Sequence, residues 1–242
     1  TVEQITGDDP DPSHSYTTAG DHEVRISGTF PHLDLTDNAD LVTYGNTPAL
    51  AANSAKLIAI NQWGNIIWES MSYMFYQTPN LVTYSATDTP NLTQATSLEG
   101  MFAFTGLSSA DLSGWDVSMI TDFSSMFTNA TSFNGDLSDW TFSSADYTSE
   151  NGVNFLGMFN LASSFTGTGL ANWDVSNADT MTVMFSDAAA FNQDLSSWDV
   201  SNVADMFLFA EGAAISTANY SAMLSSWSAL DVQSGVEFSV NP

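Results

Sequence analysis

Large apolar residues return at fixed phase along most of this chain, with short polar runs between them. The clearest copies are Asp111-Leu-Ser-Gly-Trp-Asp-Val-Ser118, Asp136-Leu-Ser-Asp-Trp140, Leu170-Ala-Asn-Trp-Asp-Val-Ser176 and Asp194-Leu-Ser-Ser-Trp-Asp-Val-Ser201. Trp63, Trp115, Trp140, Trp173 and Trp198 are equivalent, and three residues before each lies Ile60, Leu112, Leu137, Leu170 or Leu195. A Met-Phe pair recurs at Met74, Met101, Met126, Met158 and Met184. Three residues after each pair comes a small residue: Thr78, Thr105, Ala130, Ala162 or Ala188. Leu81, Phe133, Phe165 and Phe191 follow. The period is roughly 25 residues, which is the range of repeat architectures. One such unit cannot bury its own apolar face, so units must stack.

The exceptions keep phase. The second unit has Pro90 where the Trp belongs, yet Met101-Phe102 is in place. The last unit substitutes Phe209-Ala210 for Met-Phe. Trp140 and Met158 are eighteen residues apart where other units have eleven, so Ser144 to Asn151 reads as an inserted loop.

Leu57-Ile-Ala-Ile60 has strand composition and aligns with Asn134-Gly-Asp-Leu137 and Asn192-Gln-Asp-Leu195. Ile120, Phe123 and Phe127, and likewise Ala178, Met181 and Phe185, have helical spacing. The expected fold class is therefore an α/β repeat. It is a right-handed leucine-rich-repeat-like solenoid of five to six coils, with one parallel β-sheet and short helices or turns on the opposite face. Residues 1–21 read as an acidic, polar arm or linker, and residues 22–242 as a single repeat domain. Within it, 22–56 is an N-terminal cap with a strand from His22 to Phe30, 57–215 the repeats, and 216–242 a C-terminal cap. The last cap should hold a helix over Tyr220 to Trp227 and strand character over Val232 to Val240.

Charge narrows the function classes. Asp and Glu number 28 against Arg25 and Lys56 alone, a formal net charge of −26. Two cations cannot form a basic patch, so nucleic acid is excluded as a partner and an anionic membrane surface is disfavoured. No run of eighteen apolar residues suggests a membrane span. There is no cysteine, hence no disulfide, Cys-zinc site or Cys nucleophile. No signal peptide is visible at Thr1, which fits a processed chain or a segment of a larger polypeptide.

The motif Met-Phe-x-x-Ala-x-x-Phe-Asn-x-Asp-Leu-Ser-x-Trp-Asp-Val-Ser, carried by Met126 to Trp140 and Met184 to Ser201, resembles that of BspA-type leucine-rich-repeat surface proteins of bacteria. Val24-Arg-Ile-Ser-Gly-Thr-Phe30 and Ile60-Asn-Gln-Trp-Gly64 resemble how such domains begin. The resemblance covers roughly residues 22–242. It implies a secreted or cell-surface protein with adhesion as its role, and no catalytic residues.

The recurrent Trp, Met and Phe read as core rather than as a sugar platform. Asp116, Asp174 and Asp199 read as turn formers assisted by Ser118, Ser176 and Ser201 rather than as metal ligands. If Leu112, Leu137 and Leu195 point inward, their neighbours point outward. That set, Asp111, Ser113, Asn134, Asp136, Ser138, Asn192, Asp194 and Ser196, is the candidate ligand-binding face. Its alternative is a solvated polar ladder. The partner would be a protein or glycan on another cell or matrix, engaged through this face or through the loop at Ser144 to Asn151. No cofactor is expected. Calcium is a minor alternative, because Asp8, Asp9 and Asp11 lack the spacing of an EF-hand. No nucleophile elbow or His-Glu-x-x-His motif occurs, so an enzyme is not expected. A structural spacer in a larger surface protein is the second reading.

Unbalanced negative charge repels itself, and salt screens it. The melting temperature should therefore rise between dilute buffer and seawater-like monovalent salt. A flat or falling value in a thermal melt would count against adaptation to a saline habitat.

Overall fold

The structure is a computed structural model and describes residues 2–6, 20–27, 54–142 and 152–238. Around each Met-Phe pair the backbone alternates in handedness. The residue before the pair is left-handed: Tyr73, Ser125, Val183 and Leu208 have φ between 49° and 57°, and glycine fills the same position at Gly100 and Gly157. Four residues further on, Gln77, Phe104, Asn129, Leu161 and Asp187 are left-handed as well, with Gly212 in phase. A left-handed L-residue cannot continue a right-handed helix, so each tract is a turn.

This alternation points every second N–H at the next repeat. Phe75, Phe102, Phe127, Phe159 and Phe185 donate to the carbonyls of Met101, Met126, Met158, Met184 and Phe209 at 2.7–3.0 Å. The residues two before and two after each Phe do the same, as in Ser125 N–H to Leu156 and Asn129 N–H to Asn160. The N–H groups between them close local bonds three residues back, as Thr128 does to Ser125. Every N–H within two residues of these five phenylalanines thus has an acceptor, as burial demands.

The right-handed leucine-rich-repeat solenoid with one parallel sheet is not what forms. The described residues hold three separate two-stranded parallel pairs instead. β1 (Val2–Thr6) pairs with β2 (Glu23–Ser27), β3 (Ala59–Ile60) with β4 (Thr83–Tyr84), and β5 (Val153–Asn154) with β6 (Ala178–Thr180). Single-residue parallel bridges join Ile67 to Asn91, Ser97 to Asp122, Asp111 to Asp136, Asp122 to Asn154, and Thr180 to Asp205. Most of the remainder is turns and irregular chain. The helices expected over Ile120 to Phe127 and Ala178 to Phe185 are absent. Ala178–Thr180 is strand, and Ser125 and Val183 are left-handed.

The rungs stay short for a local reason. Ser97, Asp122, Asn154 and Asp205 each accept, on a side-chain oxygen, the N–H two residues on, at 2.8–3.1 Å. Such side-chain bonds compete with strand pairing and bend the chain after one residue.

The apolar pattern holds where the secondary structure does not. Ile60, Leu112, Leu137, Leu170 and Leu195 form a buried row, and the five repeat tryptophans are buried with them. Phe75, Phe102, Phe127, Phe159 and Phe185 stack in series with centroids 5.5–5.6 Å apart. The recurrent aromatics are therefore core. One contiguous core runs from Ile60 to Trp227.

At the C-terminal end α1 (Thr217–Trp227) is present, capped by Ser216 and burying Met223 and Trp227. No strand forms over residues 232–238. Near the other end β2 leaves Val24 49% exposed. The loop at Ser144 to Asn151 and the acidic residues Asp8, Asp9 and Asp11 lie outside the described residues.

Leu137 is fully buried between repeats. Replacing Leu137 with alanine should cost about 2–5 kcal/mol in a denaturant titration.

Candidate functional site

The candidate face is built from Asp-x-Ser turns. Asp111 Oδ1 accepts both the N–H and the hydroxyl of Ser113, at 3.1 and 2.6 Å. Asp136 accepts the N–H of Ser138 at 2.9 Å, and Asp194 that of Ser196 at 3.0 Å. Asp116, Asp174 and Asp199 form the same turn one step later with Ser118, Ser176 and Ser201. The turn role read from the sequence for those three is what the structure shows. The Ser113 hydroxyl and N–H hold the Asp111 carboxyl below its ordinary value, with slight burial opposing, and Ser201 does the same for Asp199.

The two asparagines tie one repeat to a later one. Asn134 Oδ1 accepts the N–H and hydroxyl of Thr166 at 3.0 and 2.9 Å. Asn192 Oδ1 accepts from Ser216 N–H and Asn219 Nδ2, each at 2.9 Å. Of the eight candidate residues, five are exposed and the three serines are half-buried.

The repeat is broken in its second unit, and the break shapes the face. In regular units the buried indole reaches back one repeat. Trp140, Trp173 and Trp198 donate Nε1–H to the carbonyls of Leu112, Leu137 and Leu170 at 2.8–2.9 Å. Trp115 has no such leucine behind it. The second unit instead places Tyr84 opposite Ile60 in the β3–β4 pair. The Tyr84 hydroxyl accepts from Trp115 at 3.2 Å and from Trp63 at 2.9 Å. Burial pushes the Tyr84 phenol up. The two indole donors oppose this, and the charges of Asp88 and Asp111 add to it. The group is therefore a neutral hydroxyl at physiological pH. Asp88 closes the first unit by accepting Trp63 and Gly64 N–H at 3.0 and 2.8 Å. Burial raises its carboxyl, but these bonds prevail and hold it low. Trp68 and Trp227 lie outside this register, with buried Nε1 groups that lack an acceptor; nothing in the structure accounts for them.

Beside Tyr84 a shallow groove of about 380 Å³ opens, lined by Tyr84, Ser109, Ala110, Asp111, Asn134, Gly135 and Asp136. The structure thus gathers Asp111, Asn134 and Asp136 of the candidate set. It leaves Ser113, Ser138, Asn192, Asp194 and Ser196 outside the groove. Tyr84, Ser109, Ala110 and Gly135 are the lining residues that sequence reasoning missed. Gly135 is needed there, because a Cβ would stand 2.4 Å from the Ala110 carbonyl.

Backbone bonds between neighbouring repeats are sparse on this face. Asp136 N–H donates to Ala110 C=O and Leu112 N–H to Asp136 C=O, each at 3.0 Å. In a parallel pair this turns the main-chain groups of Ser109 and Asp111 away from the fourth unit and toward the second. Thr83 and Ser85 N–H donate to Ile58 and Ile60 C=O, so Tyr84 and Ala86 face the third unit. Among the described residues no backbone hydrogen bond joins these two edges, and none joins residues 134–138 to 166–170 or 166–170 to 192–196.

Among the described residues no three His, Cys, Asp or Glu side chains gather into a metal site. No helix there is long and apolar enough to cross a membrane.

A family model matches residues 49–152 and again residues 145–236. The chain belongs to that family, DUF285, described as a Mycoplasma protein of unknown function. Its double match follows the internal repetition. No curated protein and no solved structure matches this chain.

Replacing Tyr84 with phenylalanine would leave two indole N–H groups without their acceptor. The expected loss is about 1–3 kcal/mol, read from denaturant unfolding followed by tryptophan fluorescence.

Proposed function

We propose that this chain is a non-catalytic, extracellular binding module of a bacterial surface protein. It adheres to a protein or glycan through the polar face centred on Asp111 and Asp136. The observation that supports this most is the groove, which lies on that face where the repeat departs from its own pattern. Sites that break a local rule are where function is expected. The resemblance of the Met-Phe to Trp-Asp-Val-Ser motif to BspA-type surface proteins supports the same location and role. The acidic surface favours cationic or neutral partners and repels anionic ones.

A second reading has its own observation. Asp111 and Asp136 already accept N–H groups from Ser113 and Ser138. Those carboxylates therefore have a structural use, and a spacer domain with no ligand would keep them too.

Probing a protein and glycan array with the chain, with and without Ca²⁺, separates the readings. The binding module should capture a discrete set of partners. The double variant Asp111→Asn with Asp136→Asn should lose them while keeping its melting temperature within a few degrees. Capture of nothing would favour the spacer. Unchanged capture by the double variant would move the site off this face.

A further inference from the structure

Each of the first five Met-Phe turns sends four N–H groups to the next repeat, the fourth from the residue four before the Phe. In the fifth, Met181, Val183, Phe185 and Asp187 donate to the carbonyls of Asp205, Phe207, Phe209 and Glu211 at 2.7–2.9 Å. The sixth turn has the same form. Leu208 and Gly212 are left-handed at φ 52° and 72°, and Phe209, Glu211 and Ala213 donate three residues back. Its outward donors are therefore Met206, Leu208, Ala210 and Gly212, and none of them has an acceptor among the described residues. The first turn shows the converse. Its N–H groups go to the second unit, and the carbonyls of Ser70, Ser72 and Met74 stand where Ser97, Glu99 and Met101 accept from the unit before. Among the described residues no backbone donor reaches those three carbonyls. The ladder thus ends in donors on one side and in acceptors on the other.

We propose that the stack joins a second copy of this chain head to tail, the sixth turn of one copy against the first turn of the next. Met206, Leu208 and Ala210 N–H would meet the Ser70, Ser72 and Met74 carbonyls, in the register that every inner pair of turns already uses. The polarity of the ladder selects this partner. Donors facing donors cannot make a two-fold dimer through either edge. An ordinary extended strand presents N–H and C=O alternately, so half of its groups would face the donor row wrongly. A row of carbonyls alone at this spacing is what the same turn supplies on its other side. Contact between unlike faces continues from copy to copy, as a ring or as a filament. It is separate from the polar face at Asp111 and Asp136, and it suits a binding module and a spacer alike.

Side chains on the donor edge agree. Phe207 ends a column that runs through the half-buried Leu156 and Thr182, and it is itself 50% exposed. A further turn would cover it. Leu208 bears the strain of a left-handed backbone without the ladder bond that Val183 gains from Phe207. Charge works the other way. Each copy carries −26, and Glu69 and Asp205 are exposed beside the two edges. Salt shortens the range of that repulsion, so it promotes the contact.

The test uses the full chain labelled with ¹⁵N, followed by sedimentation velocity and by amide hydrogen exchange. Chain concentration runs from tens of micromolar to millimolar, in dilute and in seawater-like sodium chloride. Assemblies should grow beyond two copies as concentration and salt rise. In the dilute chain the amides of Met206, Leu208, Ala210 and Gly212 should exchange faster than those of Met181, Val183, Phe185 and Asp187. In the concentrated chain they should slow about tenfold or more, because new bonds cover them. The variant Phe207→Asp should associate about tenfold more weakly, with its melting temperature within a few degrees of the parent's. It still offers its first turn, so adding it to the parent chain should shorten the assemblies. A chain that stays monomeric throughout would overturn the proposal. So would association that stops at a dimer, or growth during which the four amides exchange as before. Runs of N–H in alternating handedness also hold anions, so sodium phosphate replaces the chloride in a last arm. Slowing of the four amides by phosphate without association would assign the edge to an anion and overturn the head-to-tail contact.

Discussion

The Met-Phe turn carries the rest of the structure. Its alternating handedness turns three N–H groups per repeat toward the next repeat's carbonyls, and this fixes how far apart the repeats sit. The phenylalanines inherit that spacing and stack at 5.5–5.6 Å. Phe127, Phe159 and Phe185 each also face a second ring within their own repeat, at 3.9–4.1 Å. The geometry has a cost. Among the described residues nine other than glycine are left-handed, including Phe104, Leu161 and Val183, and each such residue costs about 1–2 kcal/mol. The hydrogen bonds and ring burial of the same turn must offset that cost. A repeat with its ladder partner removed would keep the strain and lose the compensation, so the turn is stable only within a stack.

The acidic composition has a structural side that net charge conceals. Asp88, Asp111, Asp116, Asp122, Asp136, Asp174, Asp194, Asp199 and Asp205 each accept at least one backbone N–H. These bonds end the short rungs and turn the chain toward its next apolar position. A neutral asparagine performs the same turn at Asn154, so the turns alone do not require the charge. What the carboxylates add is a stronger acceptor, at the expense of mutual repulsion. The same residues that shape the fold therefore set its electrostatic character, and a partner meets both together.

Sequence reasoning reached the core and stopped short of the backbone. The phase of Leu137, Trp140, Phe127 and Ala130 named buried positions directly, because burial is what forces a repeat to keep phase. Helical spacing at Ala178, Met181 and Phe185 misled for a physical reason. A turn that returns apolar side chains to one face at intervals of three and four looks like a helix in sequence. The strand at Ala178–Thr180 and the left-handed Val183 break it, and valine is among the residues least suited to that conformation. Tertiary bonding overrode local preference there, and nothing in a single sequence announces it. The candidate face was legible in part. Asp111 and Asp136 followed from alternation beside buried leucines. Tyr84 did not follow, because counting back from Leu112 by the repeat length reaches Thr87, and the pairing with Ile60 shifts the true rung to Tyr84. The one available signal was chemical. An indole without a leucine carbonyl behind it needs another acceptor, and the tyrosine nearby supplies one.

A regular stack offers a partner many equivalent places and no preferred one. Each Asp-x-Ser turn resembles the next, so contacts to a uniform ladder add affinity without fixing register. An interruption removes that degeneracy. Losing the second-unit tryptophan breaks the indole-to-carbonyl series and calls for Tyr84. It coincides with the groove. The repair by Tyr84 keeps the core closed, since both flanking indoles remain bonded. Stability and address are thereby separated. The buried side of the break is satisfied within the chain, and the exposed side carries the groove. Where a repeat protein departs from its own consensus and still completes its core, the departure is the position at which a single partner can be told from a slide along the stack.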